Sequence, residues 1–110
     1  MTEIQKGIIQ EEILKIHIRD NWTCKKCGNP STQIAHRIAK GKVNRMAIKR
    51  YIRENYTKVI NKGDIDKIIH HGFNLVASCI DCNSSFNIGN NDIARENLIE
   101  KILLDLEYKK

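Results

Sequence analysis

Two Cys-x-x-Cys pairs constrain this chain more than any other feature of its sequence: Cys24 with Cys27, and Cys79 with Cys82. The chain has four cysteines, so the two pairs account for all of them. Four thiolates form the complete ligand set of a tetrahedral structural zinc, and this paired spacing is typical of such sites. We therefore predict a structural Zn²⁺ that joins two segments distant in sequence. The alternative, two redox-active pairs, lacks the strand and helix context of a thioredoxin-like motif.

The size of the chain also favours a metal. At 110 residues the sequence predicts one domain, 1–110, with a modest core that a metal can reinforce. Residues 1–20 lack the basic segment and unbroken apolar run of a secretory signal. No stretch approaches the roughly 18 apolar residues of a membrane span. We expect a cytoplasmic protein without membrane contact, in which thiolates bind metal rather than form disulfides.

The charge is concentrated in the middle of the chain. Lys and Arg number 19 against 13 acidic residues, which gives a net charge of +6. Between Arg37 and Lys62 basic residues predominate, and Glu54 is the only acid. A basic block of this kind favours a polyanionic partner, because Lys and Arg contact phosphates and release counterions. The sequence therefore favours a nucleic-acid partner.

Hydrophobic periodicity predicts helices near both ends of the chain and a strand pair in the middle. The predicted helices are 3–19, 44–55, 64–70, 82–88 and 92–108, and the predicted strands are 33–38 and 73–78. Asn44 is expected to cap its helix, Met46 to lie on the buried face, and Trp22 to plug the core beside the metal. The C-terminal helix, with Ile93 on its apolar side, is expected to pack on the N-terminal helix.

These elements predict an α+β fold. A two-stranded antiparallel hairpin and the helix after it form a core at 22–90, held by the metal and interrupted by a basic helical insertion at 40–72. An N-terminal helix at 1–21 and a C-terminal helix at 91–110 flank this core. A homodimer through the terminal helices is one interpretation of their apolar faces. The other is that the two faces pack on each other.

The central motifs resemble the HNH (ββα-metal, His-Me finger) nuclease family. The resemblance covers about residues 22–90 and rests on both cysteine pairs together with His36, Asn74, Asn83 and Asn87. It implies a metal-dependent DNA endonuclease with His36 as the general base that activates water. An imidazole suits that task because its ordinary pKa of about 6.5 leaves it largely neutral, yet basic, at cellular pH.

The resemblance also implies roles for the asparagines. Asn74 would bridge the loop by hydrogen bonds and orient His36. Asn83 would bind a catalytic Mg²⁺ or Mn²⁺, with Asn87, one helical turn further on, as a second ligand. The expected products are a 5′-phosphate and a 3′-hydroxyl. A phage or another mobile element is the expected source, and a phage or restriction protein is a conceivable partner.

One position departs from the family pattern. The residue before the histidine is commonly Asp or His in this family and binds the metal, whereas here it is Ala35, which cannot. His70 or His71 is a candidate for the missing ligand, and either is otherwise a solvated loop histidine or a phosphate contact. The alternative function is a catalytically degenerate zinc module that only binds nucleic acid. A third interpretation, a protein-interaction knuckle, leaves the polar set unexplained.

The basic residues of the insertion are the candidate phosphate contacts. We expect binding through Arg45, Lys49, Arg50 and Arg53, with Arg37 beside the scissile phosphate. Nothing in the sequence indicates a base-reading module, so we expect nicking or cleavage of DNA with little sequence preference.

Overall fold

The computed structural model describes residues 10–89 and 91–109. Its elements, in chain order, are α1 (Gln10–Arg19), β1 (Gln33–His36), α2 (Lys42–Tyr56), α3 (Lys62–Ile69), β2 (Leu75–Ser78) and α4 (Asp92–Asp105). Two short 3₁₀ turns, Gly72–Asn74 and Asn83–Phe86, precede and follow β2. Four α-helices and a two-stranded sheet within the described residues confirm the α+β class. Residues 3–9 of the predicted first helix lie outside the described residues.

The two strands pair antiparallel, as predicted, but both are shorter than expected. In the register of the sheet His36 lies opposite Leu75, and Gln33 lies opposite Ser78. The backbone pairing ends at His36 and Leu75, because beyond this point the side chain of Asn74 forms the hydrogen bonds to the first strand segment. Its Oδ1 accepts from the Ile38 backbone N–H at 2.7 Å, and its Nδ2 donates to the Ile38 carbonyl at 3.1 Å. The carboxamide of Asn74 thus supplies the two hydrogen bonds that a backbone pair would otherwise make with Ile38.

The outer edge of β2 is covered by the end of α1. The Arg19 guanidinium donates to the Leu75 carbonyl at 2.7 Å, and the Asp20 carboxylate accepts from the Ala77 N–H at 2.9 Å. Arg19 and Asp20 also pair with each other at 2.8 Å. Burial raises the pKa of Asp20, but the bonds from Arg19 and Ala77 outweigh it and leave that pKa below its usual value. Side chains therefore satisfy a strand edge that would otherwise face water.

The core consists of two apolar clusters. The smaller joins α1 to the sheet through Ile13, Ile16, Ile34, Leu75 and Ala77. The larger lies between α2, α3 and α4. Its members are Ile38, Ile48, Ile52, Tyr56, Ile60, Ile65, Ile68, Ile69, Ile99, Ile102 and Leu103. The C-terminal helix was predicted to pack mainly on the N-terminal helix, and this was wrong. The apolar face of α4 packs mainly against isoleucines of α2 and α3.

Helix α2 begins earlier than predicted. Gly41 occupies its N-cap without a side-chain hydrogen bond, so the prediction of Asn44 as the cap was wrong. Asn44 instead lies in the first turn, where its carboxamide donates to the Ala39 carbonyl and accepts from Arg95. Met46 was predicted to be buried but is 58% exposed, because the buried stripe of α2 is centred on Ile48 and Ile52.

Helices α3 and α4 have clear N-caps. Helix α3 starts two residues before the predicted position, because Asn61 and Asp64 form a reciprocal capping box. Asn91 caps α4 by accepting from the Ala94 N–H at 2.9 Å. Ile93 lies in the first turn of α4 and is 74% exposed, so its predicted place on the packed side was wrong.

Two further predictions were wrong near the cysteine pairs. The helix expected at 82–88 is only a 3₁₀ turn, and Asn87 after it has extended backbone. Trp22 is 48% exposed rather than a core plug. Its backbone φ is +52°, and its ring stacks on His17 with the ring centroids 4.6 Å apart. The buried partner in this stack is His17, whose Nδ1 forms a 2.7 Å hydrogen bond with Ser31 Oγ.

Glu100 links α4 to α2 through two tyrosines. The hydroxyls of Tyr51 and Tyr56 each donate to one oxygen of the Glu100 carboxylate at 2.7 Å. Burial, and then the carboxylate, raise the pKa of Tyr56 to about 12 and raise the pKa of Tyr51 further. Both phenols therefore stay protonated and act as donors at neutral pH.

We expect Glu100→Gln to lower the free energy of unfolding by about 1–3 kcal/mol, because one phenol loses a charged acceptor in a half-buried site. Urea unfolding monitored by circular dichroism measures the change. Glu96→Gln, on the exposed side of the same helix, is the matched control and should shift the midpoint little. Equal midpoints for the two variants would contradict a specific role for Glu100.

Candidate functional site

The four cysteine sulfurs form one cluster. All four Sγ atoms lie within 4.8 Å of one another, and the Cys27 and Cys79 sulfurs are 3.6 Å apart. That separation is far longer than the roughly 2.05 Å of a disulfide bond. It is close to the spacing of about 3.8 Å between two sulfurs that each lie 2.3 Å from a tetrahedral zinc. The predicted clustering is confirmed, and the cluster can hold a metal ion.

Backbone geometry prepares the first pair for this task. Gly28 has a φ of +83°, which lets the chain turn back so that its N–H donates to the Cys24 carbonyl at 3.0 Å. Burial raises the pKa of Cys24, but N–H groups of Cys27, Lys26 and Cys79 outweigh it and lower that pKa to about 6. One thiolate therefore forms readily within the cluster.

The neighbouring thiols resist further ionisation without a cation. The hydrogen bond to Cys79, followed by burial, raises the pKa of Cys82 to about 12, and the pKa of Cys27 is also raised. A second or third negative charge within 4.8 Å of the first is unfavourable unless a positive ion neutralises it. This donor set therefore fits a divalent, thiolate-binding metal.

Next to the cluster, a cavity brings together three of the predicted site residues. It has a volume of about 170 Å³ and is lined by His36, Ala39, Lys40, Asn83, Ser84 and Asn87. His36 reaches it because β1 ends there. Asn83 reaches it because the turn after the second cysteine pair packs on β1, where Asn83 Nδ2 lies 3.5 Å from the Ile34 carbonyl.

The two asparagines of the cavity differ in how their oxygens are used. Asn87 Oδ1 accepts from the Gly89 N–H at 2.7 Å, so this oxygen already has a partner. Asn83 Oδ1 has no hydrogen-bond partner among the residues that the structure describes. An uncommitted amide oxygen is a suitable ligand for Mg²⁺ or Mn²⁺. Of the two predicted ligands, Asn83 is the better placed.

Asn74 lies beneath the cavity rather than in it. It is fully buried, and besides its two bonds to Ile38 it donates from Nδ2 to the Ile69 carbonyl at 2.7 Å. Its own carbonyl accepts from the Arg37 N–H at 2.9 Å. These bonds hold the segment that follows His36, and the part that the resemblance implied for Asn74 in orienting His36 stays a prediction.

The two histidines of the insertion have different surroundings. His70 Nδ1 lies 3.1 Å from His36 Nε2, and the two rings meet edge to face. His71 points to α4 instead, where its Nε2 contacts Asp105 at 2.7 Å while its Nδ1 accepts from the Phe73 N–H. Of the two, only His70 therefore contacts His36, a distinction that no local sequence signal provides.

The environment keeps this histidine pair neutral. Burial, followed by the charges of His70 and Lys40, lowers the pKa of His36 to about 4. Burial also lowers the pKa of His70, and Asp66 partly opposes that shift. Lys40 was not among the predicted site residues, although its place in the basic block close behind His36 could have indicated it. Its side chain is exposed and lines the cavity.

The predicted phosphate contacts fall into two groups. Lys49, Arg50 and Arg53 line an open groove of about 220 Å³ with Met46 on the exposed face of α2. The guanidinium of Arg45 is instead paired with Asp66 at 2.8 Å. The side chain of Arg37 is exposed. Among the predicted phosphate contacts, Arg37 and the three groove residues are therefore more accessible than Arg45.

Comparisons with protein-family models, with curated proteins and with solved structures find no match to this chain. Within its described residues, no helix is both long and apolar enough to cross a lipid bilayer.

Proposed function

We propose that this protein is a metal-dependent DNA endonuclease of the HNH type, with a structural zinc bound by Cys24, Cys27, Cys79 and Cys82. One observation carries the proposal: His36 and Asn83 line the same cavity, and the amide oxygen of Asn83 has no hydrogen-bond partner among the described residues. A neutral base and a hard oxygen ligand are the two groups that metal-assisted phosphodiester hydrolysis requires.

Each residue of the cavity has a defined task. His36 takes a proton from the attacking water, whose oxygen bonds to phosphorus as the bond between phosphorus and the 3′ oxygen breaks. Solvent water then protonates the departing 3′ oxygen, which gives the 3′-hydroxyl. Asn83 would hold the divalent ion through its amide oxygen, and the Lys40 ammonium would orient the phosphate. A bound Mg²⁺ or Mn²⁺ would supply positive charge that offsets the negative charge developing in the reaction. The negative phosphate also raises the pKa of His36 from its low resting value, which strengthens the base when substrate is bound.

Plasmid nicking tests this function. Supercoiled plasmid should become open-circular in Mg²⁺ or Mn²⁺, and linear if both strands are cut. With zinc-loaded protein, omission of the added Mg²⁺ or Mn²⁺ should stop the reaction, because Asn83 and water hold that ion weakly. Nicking that is unchanged without added ions would contradict a catalytic role for the Asn83 site.

A second function, nucleic-acid binding without cleavage, is favoured by Ala35 and by the α2 groove. Ala35 is fully buried and offers no ligand atom. The groove presents three cationic side chains without a described ion-pair partner: Lys49, Arg50 and Arg53. This alternative predicts DNA affinity with no metal-dependent nicking.

We expect the triple change Lys49→Gln, Arg50→Gln and Arg53→Gln to weaken DNA binding and flatten its salt dependence. Each lost phosphate contact lowers the slope of log K against log salt by about 0.9, hence by about 2.7 for all three. Fluorescence anisotropy across a salt series measures this slope. Arg45→Gln on the same helix is the control, since Arg45 is paired with Asp66. Equal slopes for the triple variant and wild type would contradict the groove as a DNA contact.

A further inference from the structure

His36 and His70 come from segments far apart in sequence and meet at 3.1 Å. His36 ends β1, and His70 is the C-cap residue of α3, where its backbone N–H donates to the Asp66 carbonyl at 2.9 Å. Both backbones are therefore anchored, and the contact between the rings is a fixed feature of the fold.

One side chain sets the spacing between these two segments. The Nδ2 group of Asn74 donates to the carbonyls of Ile38 and Ile69, at 3.1 Å and 2.7 Å. Ile38 lies two residues after His36, and Ile69 immediately precedes His70. Asn74 is thus a cross-brace between the end of β1 and the end of α3. His70 belongs to the insertion at 40–72, which a compact hairpin does not need. The hydrogen bonds of Asn74 hold this part of the insertion next to His36.

The contact between the rings allows two arrangements of protons. In the first, His36 Nε2–H donates to the lone pair on His70 Nδ1, so both rings are Nε2–H tautomers. In the second, His70 Nδ1–H donates to His36 Nε2, so both rings are Nδ1–H tautomers. Neutral imidazole has one donor and one acceptor nitrogen, so the direction of this hydrogen bond determines the tautomer of both rings.

Two observations favour the first arrangement. The Nε2–H form is the intrinsically preferred tautomer of neutral histidine in water, and only the first arrangement gives it to both rings. His70 also lines a separate open cavity of about 370 Å³, which gives its remaining N–H access to water.

We propose that His70 is a positioning residue that holds His36 as the Nε2–H tautomer and leaves the lone pair of His36 Nδ1 free to act as the base. The proposal rests on the proposed function for its catalytic consequence, but the tautomer itself is a property of the folded protein. In the other tautomer His36 Nδ1 would carry a proton and could not accept one from water.

His70 also helps His36 once it has accepted that proton. The water O–H bond breaks, the proton binds His36 Nδ1, and His36 Nε2–H continues to donate to His70. The carbonyl end of α3 favours nearby positive charge, as does Asp66. Lys40 opposes positive charge on both rings, and Arg45 opposes it on His70. No proton has to cross to His70 for this stabilisation.

The test is nitrogen NMR of zinc-loaded protein labelled with ¹⁵N-histidine. The chain has four histidines, and His36→Gln assigns the His36 signals. We expect His36 in the Nε2–H form in wild type and in His70→Asn, whose carboxamide oxygen replaces the acceptor. His70→Leu should leave His36 as a mixture of tautomers and lower kcat for nicking by about 10²-fold with little change in KM. His71→Leu is the matched control and should leave the His36 tautomer unchanged.

The possible outcomes separate this proposal from the proposed function. An Nδ1–H tautomer of His36 in wild type overturns the positioning role, whether or not the protein nicks DNA. The same holds if titration with Zn²⁺ or Co²⁺ beyond the cysteine site shifts both rings together, since the pair would then be a metal site. The expected tautomer without nicking supports the positioning role and rejects the nuclease.

Discussion

Replacement of Cys79 by serine is expected to abolish metal binding and unfold the domain. Cys79 is almost fully buried. Its sulfur is 3.6 Å from that of Cys27, so it lies where the two cysteine pairs meet. Structural zinc contributes on the order of 10 kcal/mol to folding. The total stability of a small domain is about 5–15 kcal/mol. Loss of the metal therefore removes most or all of the free energy that stabilises the folded domain.

Metal content and thermal unfolding measure this effect. Wild type should contain one equivalent of zinc, and chelation should produce the same loss of structure as Cys79→Ser. Ile80→Ser is the matched control: Ile80 lies in the same knuckle but is 72% exposed, so its replacement should leave metal content and melting temperature nearly unchanged. A folded Cys79→Ser protein with a full equivalent of zinc would refute the role of the cluster.

Replacement of His36 by alanine is expected to lower the nicking rate by about 10²–10⁴-fold, the usual contribution of a general base. DNA affinity should change little, because the basic groove of α2 lies outside the cavity. Rates on supercoiled plasmid under single-turnover conditions, together with anisotropy at one salt concentration, give the two quantities.

His71→Ala serves as the control for this second experiment. It removes another half-buried histidine, but one bound to Asp105 rather than to the cavity, so it should retain nicking. Zinc content and circular dichroism establish that both variants are folded. Retained nicking by His36→Ala would show that other residues or a contaminant cleave the DNA. Loss of binding together with nicking would indicate a structural role for His36.

The sequence predicted features that depend on local spacing. The two cysteine pairs predicted the sulfur cluster, because their ligand geometry is encoded within a few residues. Alternating apolar residues predicted the strand pair, although Asn74 ends it earlier than periodicity indicates. The apolar face of the last helix was found from Ile99 and Leu103, but its partner was wrong because periodicity does not identify what a face packs against.

Features that depend on tertiary contacts could not be predicted. His70 and His71 were equivalent in sequence, and only the end of α3 distinguishes them by directing one to His36 and the other to Asp105. Arg45 belonged to a uniformly basic stretch until the fold placed Asp66 beside it. The expected helical spacing between Asn83 and Asn87 was wrong because the backbone after Phe86 extends rather than continuing as a helix, and the role of Asn87 as a metal ligand stays a prediction.

The covered edges of the small sheet determine how this protein can recognise other molecules. Arg19 and Asp20 bind the outer backbone groups of β2, and the turn that carries Asn83 covers β1. Many binding modules capture an extended peptide by adding it as a further strand, which requires a vacant row of amides and carbonyls. Side chains already occupy the outer backbone groups of Leu75 and Ala77 on β2, and Asn83 contacts the Ile34 carbonyl on β1, so the described part of the sheet offers little room for an added strand.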